Sequence, residues 1–325
     1  MMLKTRDAVS RISARAIEES RSRIHPEFLN SRQLEHQNLS RAVGARLLCK
    51  IESENPVGSF KGRGTDSFVN VLPTTQTGLV TASAGNFGLA LAYAARRRGM
   101  ATIIYAAETA SPMKLDRIRS VGAEIRLKGC DFDEAKEHAR EAAEQMNAMF
   151  VEDGREAAIT VGAGTMAMEI TATPHSIDVM VVPLGNGALL AGIGCWFRAN
   201  SPKTRIIGVC AEGAPAMQLS WRSQKMQSTP SVNTIADGIA VRVPVPEALE
   251  DLRYVVDDIV LVNDQAIKRA LKLVHDYLGL VCEPAGVVGV AGLLSHSSLA
   301  KGLVCTPITG GNATTTQLQK WVAGI

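Results

Sequence analysis

The sequence predicts an α/β protein built on mostly parallel sheet. Two observations predict it. Short β-rich runs alternate with stretches of helical length almost throughout, the pattern of parallel strands joined by crossover helices. Glycine-rich turns also fall between a strand-like run and a helical one, at 81–88 and 183–190.

The elements follow in order. Residues 79–82 read as a strand and 88–98 as the next helix; 101–106, 112–121, 124–128, 133–146 and 148–152 continue the alternation and form a small α/β unit of their own. Beyond it, 179–183, 206–209, 254–262 and 303–308 read as core strands. Residues 265–278 form an amphipathic helix, with Ala266, Ala270, Leu271 and Val274 on one face. Near the N-terminus, Val9, Ile12, Ala16 and Ile17 stand near helical spacing. The polar stretch 215–237 reads as a surface excursion.

Composition narrows the function classes. The chain has 325 residues, 46% apolar and 21% charged, an ordinary globular balance with length for one large or two moderate domains. A net charge of +3, with scattered basic residues apart from Arg96, Arg97 and Arg98 at an expected solvated helix end, argues against nucleic-acid binding. Six cysteines without a close pair and six histidines without a ligand pair point to buried, reduced thiols rather than disulfides or zinc. The longest uncharged run, 179–197, is broken by Pro183, Asn186 and four glycines, so a soluble, cytoplasmic protein with no membrane span is expected.

Four stretches can carry chemistry. In Asn55-Pro56-Val57-Gly58-Ser59-Phe60-Lys61-Gly62-Arg63-Gly64, a lysine between glycines and an aromatic residue lies where backbone can approach a flat ligand. A desolvated amine there makes an imine-forming nucleophile; the ordinary alternative is a solvated loop lysine. In Thr81-Ala82-Ser83-Ala84-Gly85-Asn86-Phe87-Gly88, small residues open a helix whose amides can bind a carboxylate or phosphate, or Ser83 or Asn86 simply caps it. Pro183-Leu184-Gly185-Asn186-Gly187-Ala188-Leu189-Leu190 is a second such turn, matching neither G-x-x-x-x-G-K-[ST] nor G-x-G-x-x-G. Thr309-Gly310-Gly311-Asn312 follows the last strand and brings a hydroxyl.

Together these residues, with 162–170, Ala236-Asp237-Gly238-Ile239-Ala240-Val241 and Glu283-Pro284-Ala285-Gly286, resemble the fold-type II pyridoxal-phosphate enzymes of the tryptophan synthase β superfamily, in the threonine dehydratase and serine racemase branch. The resemblance covers nearly the whole chain. It implies two open, twisted, mostly parallel α/β domains with pyridoxal 5'-phosphate in the cleft between them. We assign 1–78 and 158–325 to the large, cofactor-binding domain and 79–157 to the small one. It further implies that Lys61 holds the cofactor covalently and, once released, takes the substrate's α-proton, with Phe60 beside the ring. Ser83, Ala84 and Gly85 would bind the substrate carboxylate and Asn86 the ring hydroxyl. Gly185, Asn186, Gly187, Ala188 and Leu189 would wrap the phosphate, and Thr309 would meet the pyridine nitrogen. A hydroxyl partner there weakens the electron sink relative to a carboxylate and favours prompt loss of a β-leaving group.

The sequence departs from the branch pattern at several points. Ala84 replaces the serine that racemases use as second-face acid/base, which disfavours racemisation. Asn186 and Ala188 replace glycines in the phosphate loop, keeping its contact while adding side chains that narrow the pocket or reach the ligand; Phe87 replaces a histidine, making the substrate side more apolar. Cys210 and Ala216 stand where divalent-cation carboxylates would be, so no metal is expected; the usual early Thr-Pro is absent, and little chain follows Asn312 for a regulatory domain. The expected function is α,β-elimination on a 3-hydroxy amino acid such as L-threonine or L-serine, giving a 2-oxo acid and ammonia. The alternatives are β-replacement, racemisation, or a catalytically idle ligand-binding subunit. The resemblance also implies a homodimer.

Overall fold

The computed structural model describes residues 11–324. In chain order, the first half holds α1 (Ala14–Ser20), β1 (Gln33–Glu35), α2 (Gln37–Val43), β2 (Arg46–Ile51), α3 (Lys61–Val71), β3 (Gly78–Ala82) and α4 (Asn86–Arg97). Next come β4 (Ala101–Ala106), α5 (Pro112–Ser120), β5 (Glu124–Leu127), α6 (Phe132–Gln145), β6 (Met149–Phe150) and α7 (Ala157–Thr171). The remainder is β7 (Val179–Pro183), α8 (Ala188–Asn200), β8 (Arg205–Ala211), α9 (Ala216–Ser223), α10 (Pro246–Leu252), β9 (Asp258–Val262), α11 (Asp264–Leu278), α12 (Val288–Ser295), β10 (Leu303–Ile308) and α13 (Thr315–Val322).

The strands form two sheets. One has six strands in the order β1-β2-β10-β7-β8-β9, the other four in the order β5-β4-β3-β6. Every pairing is parallel except the edge pair β1–β2. Strands of the larger sheet read as continuous apolar runs because helices cover both faces: β7 and β10 are buried at every position.

Helix ends follow their local chemistry. Asp131 caps α6 by accepting from the Glu134 amide, and Asn263 caps α11 from the Ala266 amide. At its other end α11 closes on Gly279 in the left-handed region, at φ 67°. The packing of α3, α7 and α8 depends on glycine. A Cβ on Gly162 would stand 2.6 Å from the Arg63 carbonyl oxygen, and one on Gly192 would stand 2.8 Å from the Gly164 amide, so helix backbones nearly touch. This is the structural use of 162–170.

Several expectations need correction. The strand expected at 254–262 begins only at Asp258, because 253–255 form a turn after α10. Part of the polar stretch 215–237 is helical, as α9. The N-terminal helix spans Ala14–Ser20, and Val9 lies outside the described residues. Of the arginine triplet, Arg98 is not merely solvated: its guanidinium donates to the Val69 and Leu72 carbonyls, while Arg97 pairs with Glu27 at 3.1 Å. Four cysteines are buried and all six are free, but Cys130 is exposed and Cys195 half-buried. Burial pushes the Cys49 and Cys210 thiols up to about 12.

Charge is also buried between the sheet and its helices. Arg63, on α3, is fully enclosed and forks onto Glu52 (2.9 and 2.8 Å) and Glu169 (2.7 and 2.9 Å). Lys50, enclosed on β2, completes the set at 2.6 Å from Glu169. Burial alone would raise the Glu169 carboxyl, but Arg63 and then Lys50 outweigh it and hold the group at about 2. Breaking such a network strands a buried charge. Arg63→Met is therefore expected to lower unfolding stability by about 3–5 kcal/mol in urea titration. Because the Glu169 carboxyl is depressed in the fold, its contribution is complete above an ordinary 4.5 and disappears as pH falls through about 2. Glu169→Gln removes that part of the acid-side slope in melting temperature between those values.

Candidate active site

In both sheets the chain leaves the carboxyl ends of the parallel strands toward a common space, a cavity of about 710 Å³. Segments after β3 (83–87), β6 (151–153), β7 (185–190) and β10 (Thr309 and 312–314) line it, together with Phe60 and Lys61 at the start of α3. The cavity gathers all twelve residues singled out in the sequence: Phe60, Lys61, Ser83, Ala84, Gly85, Asn86, Gly185, Asn186, Gly187, Ala188, Leu189 and Thr309.

Lys61 is the first residue of α3, not a residue of a solvated loop. The preceding turn is fixed by Asn55, whose side chain donates to the Glu52 and Ser59 carbonyls and accepts from the Val57 amide. The Phe60 amide then donates to the Thr309 carbonyl at 3.0 Å, which joins the α3 start to the end of β10. The Lys61 amine lies 4.6 Å from the Phe60 ring centre and 5.9 Å from that of Phe87. Its ion-pair partner is Asp153, with Nζ 2.6 Å from Oδ2.

The turn after β3 is held locally. Ser83 Oγ accepts from the Gly85 and Gly88 amides at 3.2 and 3.0 Å, so the ordinary capping alternative describes its hydroxyl. Asn86 opens α4 and faces two partners: its Nδ2 donates to Glu283 Oε1, and its Oδ1 accepts from Asn312 Nδ2 at 2.6 Å. Phe87 is mostly core, packed with Phe68 and Leu91, and it also lines the cavity.

The turn after β7 differs. Gly187 holds φ 99°, open to glycine with little strain, and a Cβ there would meet Ala248 Cβ at 3.0 Å. No side chain caps the first turn of α8, so its leading amides are open to an anion. Gly185 packs on Gly238 and Ile239, which places the 236–241 stretch as the wall behind this loop. Thr309 Oγ1 makes one long contact, 3.4 Å to the Ala285 carbonyl.

Sequence reasoning missed Asp153 and gave Glu283 no role. The available signal for Asp153 was an acid directly past a strand end, in Val151-Glu152-Asp153-Gly154. Asn186, expected to intrude on the loop, instead donates to Asp153 Oδ2 at 3.2 Å. No group of three or more His, Cys, Asp or Glu able to hold a metal occurs among the described residues. Nor does any helix there have the length and apolarity to cross a membrane.

Residues 27–310 match the family described as "Pyridoxal-phosphate dependent enzyme". The chain belongs to that family. Its cofactor is pyridoxal 5'-phosphate. This pyridoxal-phosphate enzyme is 32% identical over 300 residues to the L-threonine ammonia-lyase of Geobacter sulfurreducens, spanning 91% of this chain and 74% of that one. Among solved structures, maize serine racemase superposes with a TM-score of 0.89 at 26% identity, covering 95% of this chain and 96% of that one. The processed form of threonine deaminase isoform 2 from Solanum lycopersicum gives 0.88 at 28%, covering 95% and 88%. The donor set fits the cofactor: an uncapped helix start suits a phosphate, and a lysine close to two aromatic rings suits an aldehyde on a flat heterocycle.

Burial pushes the Glu283 carboxyl up to about 7, and nearby Asp237 adds to this against the hydrogen bond from Asn86. A group raised in the fold contributes stability that is complete below its ordinary 4.5 and disappears as pH rises through about 7. The parent should therefore lose melting temperature across that interval. Glu283→Gln should flatten the decline, as read by thermal unfolding in matched buffers. Gly187→Ala should cost about 1–2 kcal/mol through its left-handed backbone and its contact with Ala248, measurable by denaturant titration.

Proposed function

We propose that this enzyme is an ammonia-lyase that dehydrates a 3-hydroxy amino acid, L-threonine or L-serine, to a 2-oxo acid and ammonia. One observation carries the reading: Lys61 presents its amine in the same cavity as Asn86, Thr309 and the uncapped start of α8. The 32% identity to an L-threonine ammonia-lyase supports the choice of reaction.

The bound cofactor supplies the aldehyde and the electron sink; the residues divide the remaining work. Lys61 anchors the cofactor and, once free, takes the α-proton and hands a proton to the departing hydroxyl. Phe60 flanks the ring. Gly185, Asn186, Gly187, Ala188 and Leu189 hold the phosphate against the α8 start, Asn86 meets the ring hydroxyl and Thr309 the ring nitrogen. Ser83, Ala84 and Gly85 receive the substrate carboxylate at the α4 start, where the helix dipole favours an anion. Ala84 has no hydroxyl to protonate the opposite face, which favours elimination over racemisation.

In this reading the large domain comprises 1–78 and 158–325 and the small domain 79–157; the four-stranded sheet supports it, lying in the latter but for Gly78, the first residue of β3. The protein is further read as a cytoplasmic homodimer, which light scattering tests by mass.

Borohydride treatment of the holoenzyme should label Lys61, as read by peptide mass spectrometry. Lys61→Ala should lower 2-oxo acid and ammonia release from L-threonine and L-serine by at least about 10³-fold. An unlabelled Lys61, or a wild type that releases no ammonia from any 3-hydroxy amino acid, would overturn the reading. Ala84→Ser should add racemisation, measured as D-serine formed from L-serine.

A further inference from the structure

The ion-pair partner of Lys61 is an acid that had no assigned part. The Asp153 side chain is 7% exposed, its Oδ1 is buried without a partner, and its Oδ2 takes both the Lys61 amine and Asn186 Nδ2. An enclosed carboxylate is costly unless a cation or several donors answer it. Here the cation is the Lys61 nitrogen.

The other charges around it are engaged elsewhere. Glu152 faces Lys136 at 3.3 Å and Arg140 at 2.7 Å, both on α6. Arg155 faces Glu247 at 3.6 Å, and Arg11 spans the Gly154 carbonyl and Asp251. From α3 only Lys61 brings charge to Asp153, and the turn after β7 brings only the neutral Asn186.

An amino acid entering the cavity must bring its α-nitrogen to the carbon that the Lys61 nitrogen holds. It therefore arrives beside the same carboxylate. We propose that Asp153 accepts a proton from the substrate's α-ammonium and returns it to Lys61 as that residue is released. The step balances internally, with the carbon–nitrogen linkage protonated before and after. Two N–H bonds of the substrate break in turn as its carbon–nitrogen bond forms and that of Lys61 breaks. One proton passes through Oδ2 across the 2.6 Å contact to Nζ, so Lys61 leaves as a neutral amine able to take the α-proton; the other stays on Asp153 as an O–H bond. The inference rests on the reading of Lys61 as the cofactor's anchor.

L-Alanine has no β-leaving group, so it isolates this exchange from elimination. Holoenzyme and L-alanine are mixed in stopped flow, and the change in visible absorbance gives the exchange rate. Asp153→Asn is expected to exchange at least about tenfold more slowly at pH 7. Its rate should climb by about tenfold per pH unit as the free ligand amine deprotonates, a climb the wild type lacks. In Asp153→Ala, added acetate should restore the rate several-fold. Equal rates in wild type and Asp153→Asn, or a deficit constant with pH and untouched by acetate, would overturn the proposal. Borohydride labelling of wild-type Lys61, read separately, tells a failure of the anchor reading from a failure of this one.

Discussion

Arg63 and its buried partners hold the first turn of α3 where the chemistry needs it. Lys61 begins that helix, and two residues later the guanidinium is forked between Glu52, just past β2, and Glu169 of α7. Lys50 of β2 closes the set by pairing with Glu169. Enclosing four ionised groups is expensive, and apolar packing of the same volume is often as stable. What apolar packing lacks is direction. A bidentate fork fixes how α3 is rotated about its axis, and that rotation decides whether the amine at position 61 faces the cavity or the core.

The sheets then decide what the amine meets. In the six-stranded order, β10 lies between β2 and β7, so the segments leaving those three strands emerge side by side. The β2 exit leads to Lys61, the β10 exit is Thr309, and the β7 exit is the glycine turn before α8. Parallel strands aim all their carboxyl ends one way, so ligand contacts collect there without any one loop growing long. The smaller sheet adds two of its own exits, the Ser83 turn and Asp153.

This geometry also explains what could be seen in the sequence. The α/β alternation was legible because 179–183 and 303–308 are uninterrupted apolar runs, as strands buried on both faces must be. β2 was not, because Arg46 and Lys50 break its run, and the charge of buried Lys50 is answered by the Ser31 carbonyl and by a carboxylate 119 positions away. The glycine turns were legible because glycine has few other reasons to stand between strand and helix. Asp153 was hidden for the opposite reason: an acid after a strand resembles any surface acid until the fold sets an amine against it. Its importance lies in a contact across 92 positions, which no local pattern records.

A departure from the expected pattern and a residue the sequence hid become one arrangement in space. Taken alone, Asn186 interrupts a glycine turn and brings a side chain that would narrow the pocket. In the fold its side-chain amide donates to Asp153, whose other oxygen has no partner, which leaves its backbone to the phosphate turn. The backbones are joined as well, since a Cβ on Gly154 would collide with the Asn186 carbonyl oxygen at 2.5 Å. An acid placed beside the reactive lysine would be free to swing between rotamers if only that lysine held it. A second donor from a backbone-locked turn removes this freedom, so the carboxylate keeps its aim when the lysine nitrogen is drawn away. Asn186 thus belongs with Asp153 as one polar unit, and the phosphate turn keeps its glycines only where the backbone requires them.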